Sequence, residues 1–404
     1  MDIRQKRLQI ASTLLTAGII IFYLTTGLYK FLMRTHISTL RFGPVIKMIY
    51  EIFVLLYIFW TLDKVKLQIL LGIFLLYIDF LIGQFFLSQA FSGQNMHFIE
   101  NNLLFFRYVI IFLFFAVGYE FIKYRHVPEK IEKTFRSLLW INGFLIFLGL
   151  IFRFRWLASY DSDWRFGYNG LFFSTNESSF MYIIAITYLY FRRVYLGIKE
   201  KLFWWVIFSS VLIGTKTILG FLLILMFIHF FRNLGSINLK FIVLVIIAVV
   251  ASSYGFFYKI INKFLLNTYL YFHYVYTHYG LLYTITSGRS AFIEERVIPL
   301  LQKWTWVNYL TGGMIMGKYN VEMDFLDLYL MFGLIGSIIY LSMFNGLIKV
   351  LYLPRVLKIF FIVSTLGLAF VAGHFFTSDT AGLFFVILIL ITYKYYLNQK
   401  YVKH

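Results

Sequence analysis

The chain has 404 residues, 61% of them hydrophobic and 14% charged, with a formal net charge of +19. At a mean hydropathy of +0.78 it carries more apolar surface than a water-soluble fold can hide, which excludes an ordinary soluble enzyme. The basic excess is not the footprint of a nucleic-acid binder, because it collects in alternate loops, the positive-inside pattern of a polytopic membrane protein.

Met1–Arg7 leads into a long apolar run with no small-residue cleavage site, which reads as a signal anchor. Apolar runs long enough to span a bilayer recur about twelve times. They lie near 8–33, 43–61, 67–87, 103–122, 138–157, 177–194, 202–213, 216–232, 240–258, 325–349, 356–375 and 379–397. The run 202–213 is short and forms a broken pair with 216–232 across Gly214-Thr215-Lys216. Basic groups cluster at Arg4, Lys6 and Arg7, at Lys64 and Lys66, from Lys123 to Arg136, from Arg192 to Lys201, from Lys349 to Lys358, and from Lys394 to Lys403. That distribution puts both termini in the cytoplasm and the loops 34–42, 88–102, 158–176 and 259–322 outside, with Arg34 and Arg41 as exceptions. The expected fold is therefore an all-α polytopic membrane protein, one integral membrane domain over 1–404, with a large extracytoplasmic loop near 259–322. Within that loop, Tyr269–Tyr283 reads as an aromatic segment on the membrane surface. Ser290–Lys303 reads as a short helix capped by Ser287 or Ser290. There is no cysteine, hence no disulfide and no thiol nucleophile. The 49 phenylalanines and 31 tyrosines read mainly as base composition and interfacial anchors rather than sugar platforms.

The chemistry-bearing residues fall on the outer side. Arg289, after Ser287-Gly288, offers a planar fork suited to phosphate oxygens, the alternative being a local pair with Glu294 or Glu295. Arg153 and Arg155 end a span on the side where arginine is disfavoured, and Arg165 follows; an anionic headgroup or Asp161 and Asp163 would account for them. Lys216, in Gly-Thr-Lys-Thr, meets an anion or snorkels to the interface. Glu322 and Asp324 precede a span, where they either cap its N-terminus or supply a general base. His374 and Asp379 are expected to face each other across the tight turn between the last two spans, His374 as a proton carrier or a hydrogen-bond donor to phosphate, or as a histidine held by a backbone carbonyl. No metal-ligand spacing, Walker motif or dinucleotide glycine motif occurs, so neither metal nor cofactor is expected. Several cations and one or two carboxylates on one face suit transfer from a lipid-linked phosphate donor to a hydroxyl acceptor.

These residues resemble the O-antigen polymerase (Wzy-type) and O-antigen ligase superfamily of bacterial polysaccharide-assembly membrane proteins. Four places within about 153–380 carry the resemblance. Arg165-Phe166-Gly167 through Gly170-Leu171-Phe172 and Ser174-Thr175-Asn176 is similar to the family's Arg…Gly…Asn-Pro-Asn stretch, with Thr175 in place of the proline. Gly214-Thr215-Lys216-Thr217 is similar to its Thr-Arg/Lys-Ser/Thr element, and Ser287-Gly288-Arg289 to its Ser-Gly-Arg element. Glu322, ahead of Gly333 and Gly336, stands where the family has His-Asn-x-x-Leu before a Gly-x-x-Gly span. The ligases usually carry His-Asn there, so Glu322-Met323 leans toward the polymerases.

The resemblance implies a GT-C-like membrane glycosyltransferase of the bacterial inner membrane, free of metal and nucleotide sugar. Its donor would be an undecaprenyl-pyrophosphate-linked oligosaccharide and its acceptor the non-reducing end of another lipid-linked repeat unit. The product would be O-antigen, capsule or exopolysaccharide, and a chain-length regulator is a candidate partner. By position, Arg289 and Arg165 would bind pyrophosphate and Glu322 would be the base. Asp324, Arg153, Arg155, Asn176, Lys216, His374 and Asp379 complete the expected site. The alternatives are a ligase-type glycan transferase and a polysaccharide flippase; a flippase should carry cations deep within several spans and lack the long outer loop.

Overall fold

The computed structural model describes residues 2–35, 42–91, 97–160, 166–232, parts of 266–286, 288–315, 318–319 and 321–402. Arg165, Ser287, the acids Asp161 and Asp163, and the expected span 240–258 lie outside the described residues. What is described is helical, with an isolated antiparallel bridge between Ala158 and Tyr168 and no strand among the described residues.

The first five helices are α1 (Ile3–Arg34), α2 (Phe42–Trp60), α3 (Lys64–Ala90), α4 (Phe98–Lys123) and α5 (Glu129–Phe152). Then come α6 (Thr175–Tyr190), running on into a π-turn at Phe191–Tyr195, α7 (Lys201–Leu212) and α8 (Lys216–Arg232). The segment ahead of the last three long helices contributes α9 (Arg289–Phe292), α10 (Ile298–Leu301) and α11 (Trp306–Thr311), with a π-turn at Ile293–Val297 joining the first two. The chain closes with α12 (Asp324–Lys349), α13 (Arg355–Ala372) and α14 (Asp379–Val402).

Six of these helices, α1, α3, α4, α5, α12 and α14, are long and apolar enough to cross a bilayer, and the chain is a multi-pass helical membrane protein. The remaining expected spans that fall on described residues are helices too, though shorter or more charged. The broken pair is present: α7 and α8 are separated at Ile213–Thr215, with Gly214 at φ 72°. Two expected boundaries move. The run drawn at 138–157 begins earlier, at Glu129, and ends at Phe152, where Arg153 at φ 54° turns the chain into a 3-10 turn at Arg155–Leu157. The helix drawn at Ser290–Lys303 is present over 289–301, but its N-cap is Gly288, which has no side chain to cap with, and the Ser290 amide donates instead to Thr286 Oγ1 at 3.2 Å.

Burial sorts the bundle. The apolar window of α14 is 83% buried and that of α4 72%, against 28% for α3. A helix that is apolar all round and enclosed by neighbours forms the core, while α3 gives most of its surface to lipid. Where α3 meets α12, glycines replace side chains. Gly333 interrupts α12 at φ 59°, ψ −159°, a conformation confined almost entirely to glycine. Its Cα faces Leu310 and Gly312 so closely that a Cβ on either Gly333 or Gly312 would overlap the opposing backbone. The Gly313 amide donates to the Leu330 carbonyl at 2.9 Å, and Trp304 Nε1 donates to the Gly313 carbonyl at 3.0 Å, so the kink and the hairpin after α11 lock together. Gly333→Ala is expected to cost at least about 1–3 kcal/mol from backbone strain alone. The measurement is the thermal midpoint of the detergent-purified protein, and an unchanged midpoint would refute the interlock.

One end of the bundle holds a buried ionic layer. Lys66 pairs with Glu120, both fully buried. Glu132 accepts from Arg192 and from Lys394 at 2.9 Å, while Arg136 reaches Glu200 at 2.9 Å and Lys123 reaches Asp63 at 2.8 Å. These are residues that the sequence assigns to basic loops on one side, and the structure does gather them at one end. Lys66, however, is an internal ion-pair partner rather than a solvated loop charge.

Candidate functional site at the opposite end of the bundle

The N-termini of α2, α4, α6, α8, α12 and α14 converge at the other end around a cavity of about 2360 Å³. That is more than twice the usual upper bound of roughly 1,000 Å³ for a drug-sized ligand, and suits a long or lipidic substrate.

Glu322 and Arg289 meet at its wall. Arg289 Nη2 lies 3.1 Å from Glu322 Oε2, and Nη1 donates to the Thr286 carbonyl at 3.2 Å. The arginine thus pairs with Glu322 and not with the adjacent Glu294 or Glu295. Its Nε is buried and has no partner among the described residues, a donor left for something the cavity admits. Gly288, at φ 87°, turns the chain so that Arg289 opens a helix directly under the cavity. The two ends of the pair differ in exposure: the Arg289 side chain is 12% exposed and the Glu322 side chain 43%.

Glu322 sits at φ 63° and His374 at φ 75°, left-handed conformations rare for residues with side chains. Strain of this kind persists only where the surroundings hold it, and it concentrates at functional sites. Here two aspartates do the holding. Asp327 accepts from the Val321 amide at 2.7 Å and the Met323 amide at 3.1 Å, clasping both neighbours of Glu322. Asp324 accepts from the amides of His374, Phe375 and Phe376 at 2.7, 2.6 and 3.3 Å. Gly373 closes the arrangement, since a Cβ there would overlap the Glu322 carbonyl. Asp324, expected among the catalytic residues, is 1% exposed and does not line the cavity. Its carboxylate is consumed by backbone amides, so it positions the turn that carries His374.

His374 lines the cavity and its Nδ1 is buried with no partner among the described residues. Burial holds the imidazole below its ordinary pKa; Glu322 and Glu177 oppose that shift, and Arg289 and Arg107 add to it. The neutral ring is therefore the folded form. The unfolded chain takes up this proton at a higher pH than the folded one, so stability falls as pH drops below about 6.5. His374→Gln is expected to flatten the fall of the thermal midpoint in that range. An identical acid profile in wild type and variant would show that His374 carries none of it.

Asp379 faces the same cavity from the start of α14, but its partners are cations and not His374. Lys47 Nζ lies 3.2 Å from Oδ2 and Arg107 Nε 4.0 Å from Oδ1. Beside it, Ser378 Oγ donates to Glu177 at 3.2 Å. Asn176 lines the cavity in the first turn of α6, behind Ser174, whose Oγ accepts from the Asn176 amide at 3.3 Å. Lys216 lines it from the start of α8 and donates to the Thr284 carbonyl at 2.9 Å. The cavity thus brings together Glu322, Arg289, Asn176, Lys216, His374 and Asp379. Arg153 and Arg155 are exposed and do not line it; the Arg155 carbonyl accepts from Arg34 at 3.2 Å.

Sequence reasoning missed Lys47, Arg107, Glu51, Glu177 and Asp327, all of which line the cavity. The signal was available for all five: ionisable residues inside or at the mouths of apolar runs are costly, and by default they mark a functional path. No group of three or more metal-ligating side chains is gathered among the described residues. Comparison with protein-family models, with curated proteins and with solved structures finds no match to this chain.

Proposed function

We propose that the chain is a polysaccharide repeat-unit polymerase. In this reading it is a polytopic membrane glycosyltransferase of the GT-C type with about twelve spans and cytoplasmic termini. The cavity then opens on the extracytoplasmic face of the bacterial inner membrane. It moves a growing glycan from undecaprenyl pyrophosphate to the non-reducing end of another lipid-linked repeat unit. The observation that carries the reading is the Arg289–Glu322 pair on the wall of a large cavity in a membrane bundle.

The chemistry follows from that pair. Glu322, the more exposed partner, takes the proton of the acceptor hydroxyl as its oxygen attacks the anomeric carbon. The bond from that carbon to the pyrophosphate oxygen breaks, and the charge left on the pyrophosphate is met by Arg289, with Lys216 nearby on the same wall. A strand of negative charge leaving next to a carboxylate needs such cations, and the neutral His374 adds a hydrogen-bonding group without adding charge.

The test is a surface-glycan gel from a strain lacking this chain, with and without the wild-type copy. Collapse of a ladder to a single-repeat band, restored by the wild-type copy, is expected. Long polymer retained on the lipid carrier would instead make it a ligase, and single units trapped on the cytoplasmic side would make it a flippase.

A further inference from the structure

A second charged group lines the cavity from α2, α4, α6 and α14, and in it carboxylates outnumber cations: Glu51, Glu177 and Asp379 stand beside Lys47 and Arg107. Glu51 lies nine residues after Phe42 and Arg107 nine after Phe98, so each is about 13 Å into its helix at 1.5 Å per residue. Ionisable groups at such depth are costly unless they meet a partner or a water-filled cavity. Pairing covers this group only in part. Lys47 is engaged with Asp379 Oδ2 at 3.2 Å, while Arg107 stands 4.0 Å from Oδ1, beyond hydrogen-bond reach, with 48% of its side chain exposed. Asp379 is 5% exposed, and its Oδ1 is buried with no hydrogen-bond partner among the described residues. Glu51 has Asp379, Lys47 and Arg107 as charged neighbours and is hydrogen-bonded to none of them. An aromatic pair adjoins the charges. Lys47 Nζ lies 4.9 Å over the Phe22 ring, and Tyr29, two turns further out on the same face of α1, pairs with the exposed Phe173 at 5.0 Å. Tyr29 and Phe173 both line the cavity.

We infer that this group holds the terminal sugar of the acceptor, and that it admits an uncharged sugar and rejects one bearing a carboxylate. The inference rests on the polymerase reading for the sugar's role as acceptor. It adds which residues select that sugar and on what property. A polyhydroxylated ring matches what is left open here. Its hydroxyls donate to Glu51 and to Asp379 Oδ1, and its oxygens accept from Arg107, all of them charge-assisted bonds. The apolar C–H face of the ring suits the Tyr29–Phe173 pair. An acidic sugar finds the opposite. Its carboxylate would meet three carboxylates and two cations, one of which is already engaged with Asp379. Selection then comes from a repulsive element as much as from an attractive one.

The experiment uses the full-length chain in nanodiscs and a pair of fluorescent oligosaccharides as probes. The probes are identical except at the non-reducing end, a neutral hexose in one and the corresponding hexuronic acid in the other. Wild type should bind the neutral probe more tightly by about tenfold or more. Glu51→Gln levels the group at two carboxylates and two cations, and the preference should shrink to about threefold or less. Glu177→Gln should act in the same direction, so the test survives if one variant is poorly made. Glu129→Gln is the control, since Glu129 is 68% exposed and lies outside the cavity. It should leave both affinities unchanged. Equal or tighter binding of the acidic probe by wild type would overturn the inference. So would a full preference in both Glu51→Gln and Glu177→Gln, or no saturable binding of either probe at millimolar concentration. The two readings fail separately. If the Glu51-dependent preference is found but the deletion strain keeps its ladder, the sugar site stands and the polymerase reading falls. If the ladder collapses in the deletion strain yet both probes bind alike, the reverse holds.

Discussion

Arg289→Ala is expected to abolish glycan polymerisation while leaving normal amounts of folded protein in the membrane. The two halves of that expectation come from different magnitudes. For the fold, the side chain makes one ion pair, to a Glu322 that is 43% exposed and that water can solvate once the arginine is gone. A pair with one solvent-accessible member contributes about 1 kcal/mol or less. For the reaction, removal of a positioned donor that meets developing negative charge costs roughly 10²–10³-fold in rate, and a full charge on a pyrophosphate leaving group stands at the upper end. Arg289→Lys should also be poor. Nη1 is engaged with the Thr286 carbonyl and Nη2 with Glu322, and Nε is the buried donor with no partner among the described residues. An ammonium cannot place three donors in those directions at once. Glu322→Gln should match the alanine variant in activity, because a carboxamide keeps a hydrogen bond to Arg289 but cannot accept the acceptor's proton. Glu322→Gly separates backbone from chemistry, since glycine relieves the strain at φ 63° and should yield a stable, inactive protein. Ladder length and membrane abundance, measured together, decide the matter. Near-wild-type chain length in Arg289→Ala or Glu322→Gln would remove both residues from the site.

How much of this was legible beforehand follows from what sequence encodes locally. Spans are written in runs of apolar residues, so α3, α4, α12 and α14 fall where hydropathy put them, and even the break at Gly214 could be read from Gly214-Thr215-Lys216 between two apolar runs. The partner of Arg289 could not. Glu294 and Glu295 are its neighbours in sequence, whereas Glu322 reaches it only because α11 folds back against the Gly333 kink and returns the chain to the cavity. The role of Asp324 was hidden for a similar reason. A carboxylate ahead of a helix looks alike whether it caps that helix, performs chemistry or ties down another turn, and the amides that donate to it lie some fifty residues on, at His374, Phe375 and Phe376. Lys47 and Arg107 were legible in principle, as charges within apolar runs, yet their convergence on Asp379 is a property of three helix starts meeting at one end.

Asp324→Ala is expected to behave in the opposite way to Arg289→Ala, losing the protein rather than only its activity. The carboxylate is buried and accepts three backbone amides of the turn between α13 and α14. Truncation leaves those amides without an acceptor, at about 1–3 kcal/mol for each buried donor left unpaired. The sum is several kcal/mol in a molecule whose total stability is of order 5–15 kcal/mol. The turn is also the one that holds His374 at φ 75° and packs Gly373 under Glu322, so any molecules that do fold should have both site residues displaced. Asp324→Asn should fall between: the amide keeps one acceptor oxygen, but its NH2 group points a donor at the amides of Phe375 and Phe376 or of His374. Membrane abundance and the thermal midpoint of purified protein, read beside ladder length, give the answer. If Asp324→Ala accumulates to wild-type levels, melts at the wild-type temperature and still makes no polymer, then Asp324 acts on the substrate and the backbone anchor is not its role.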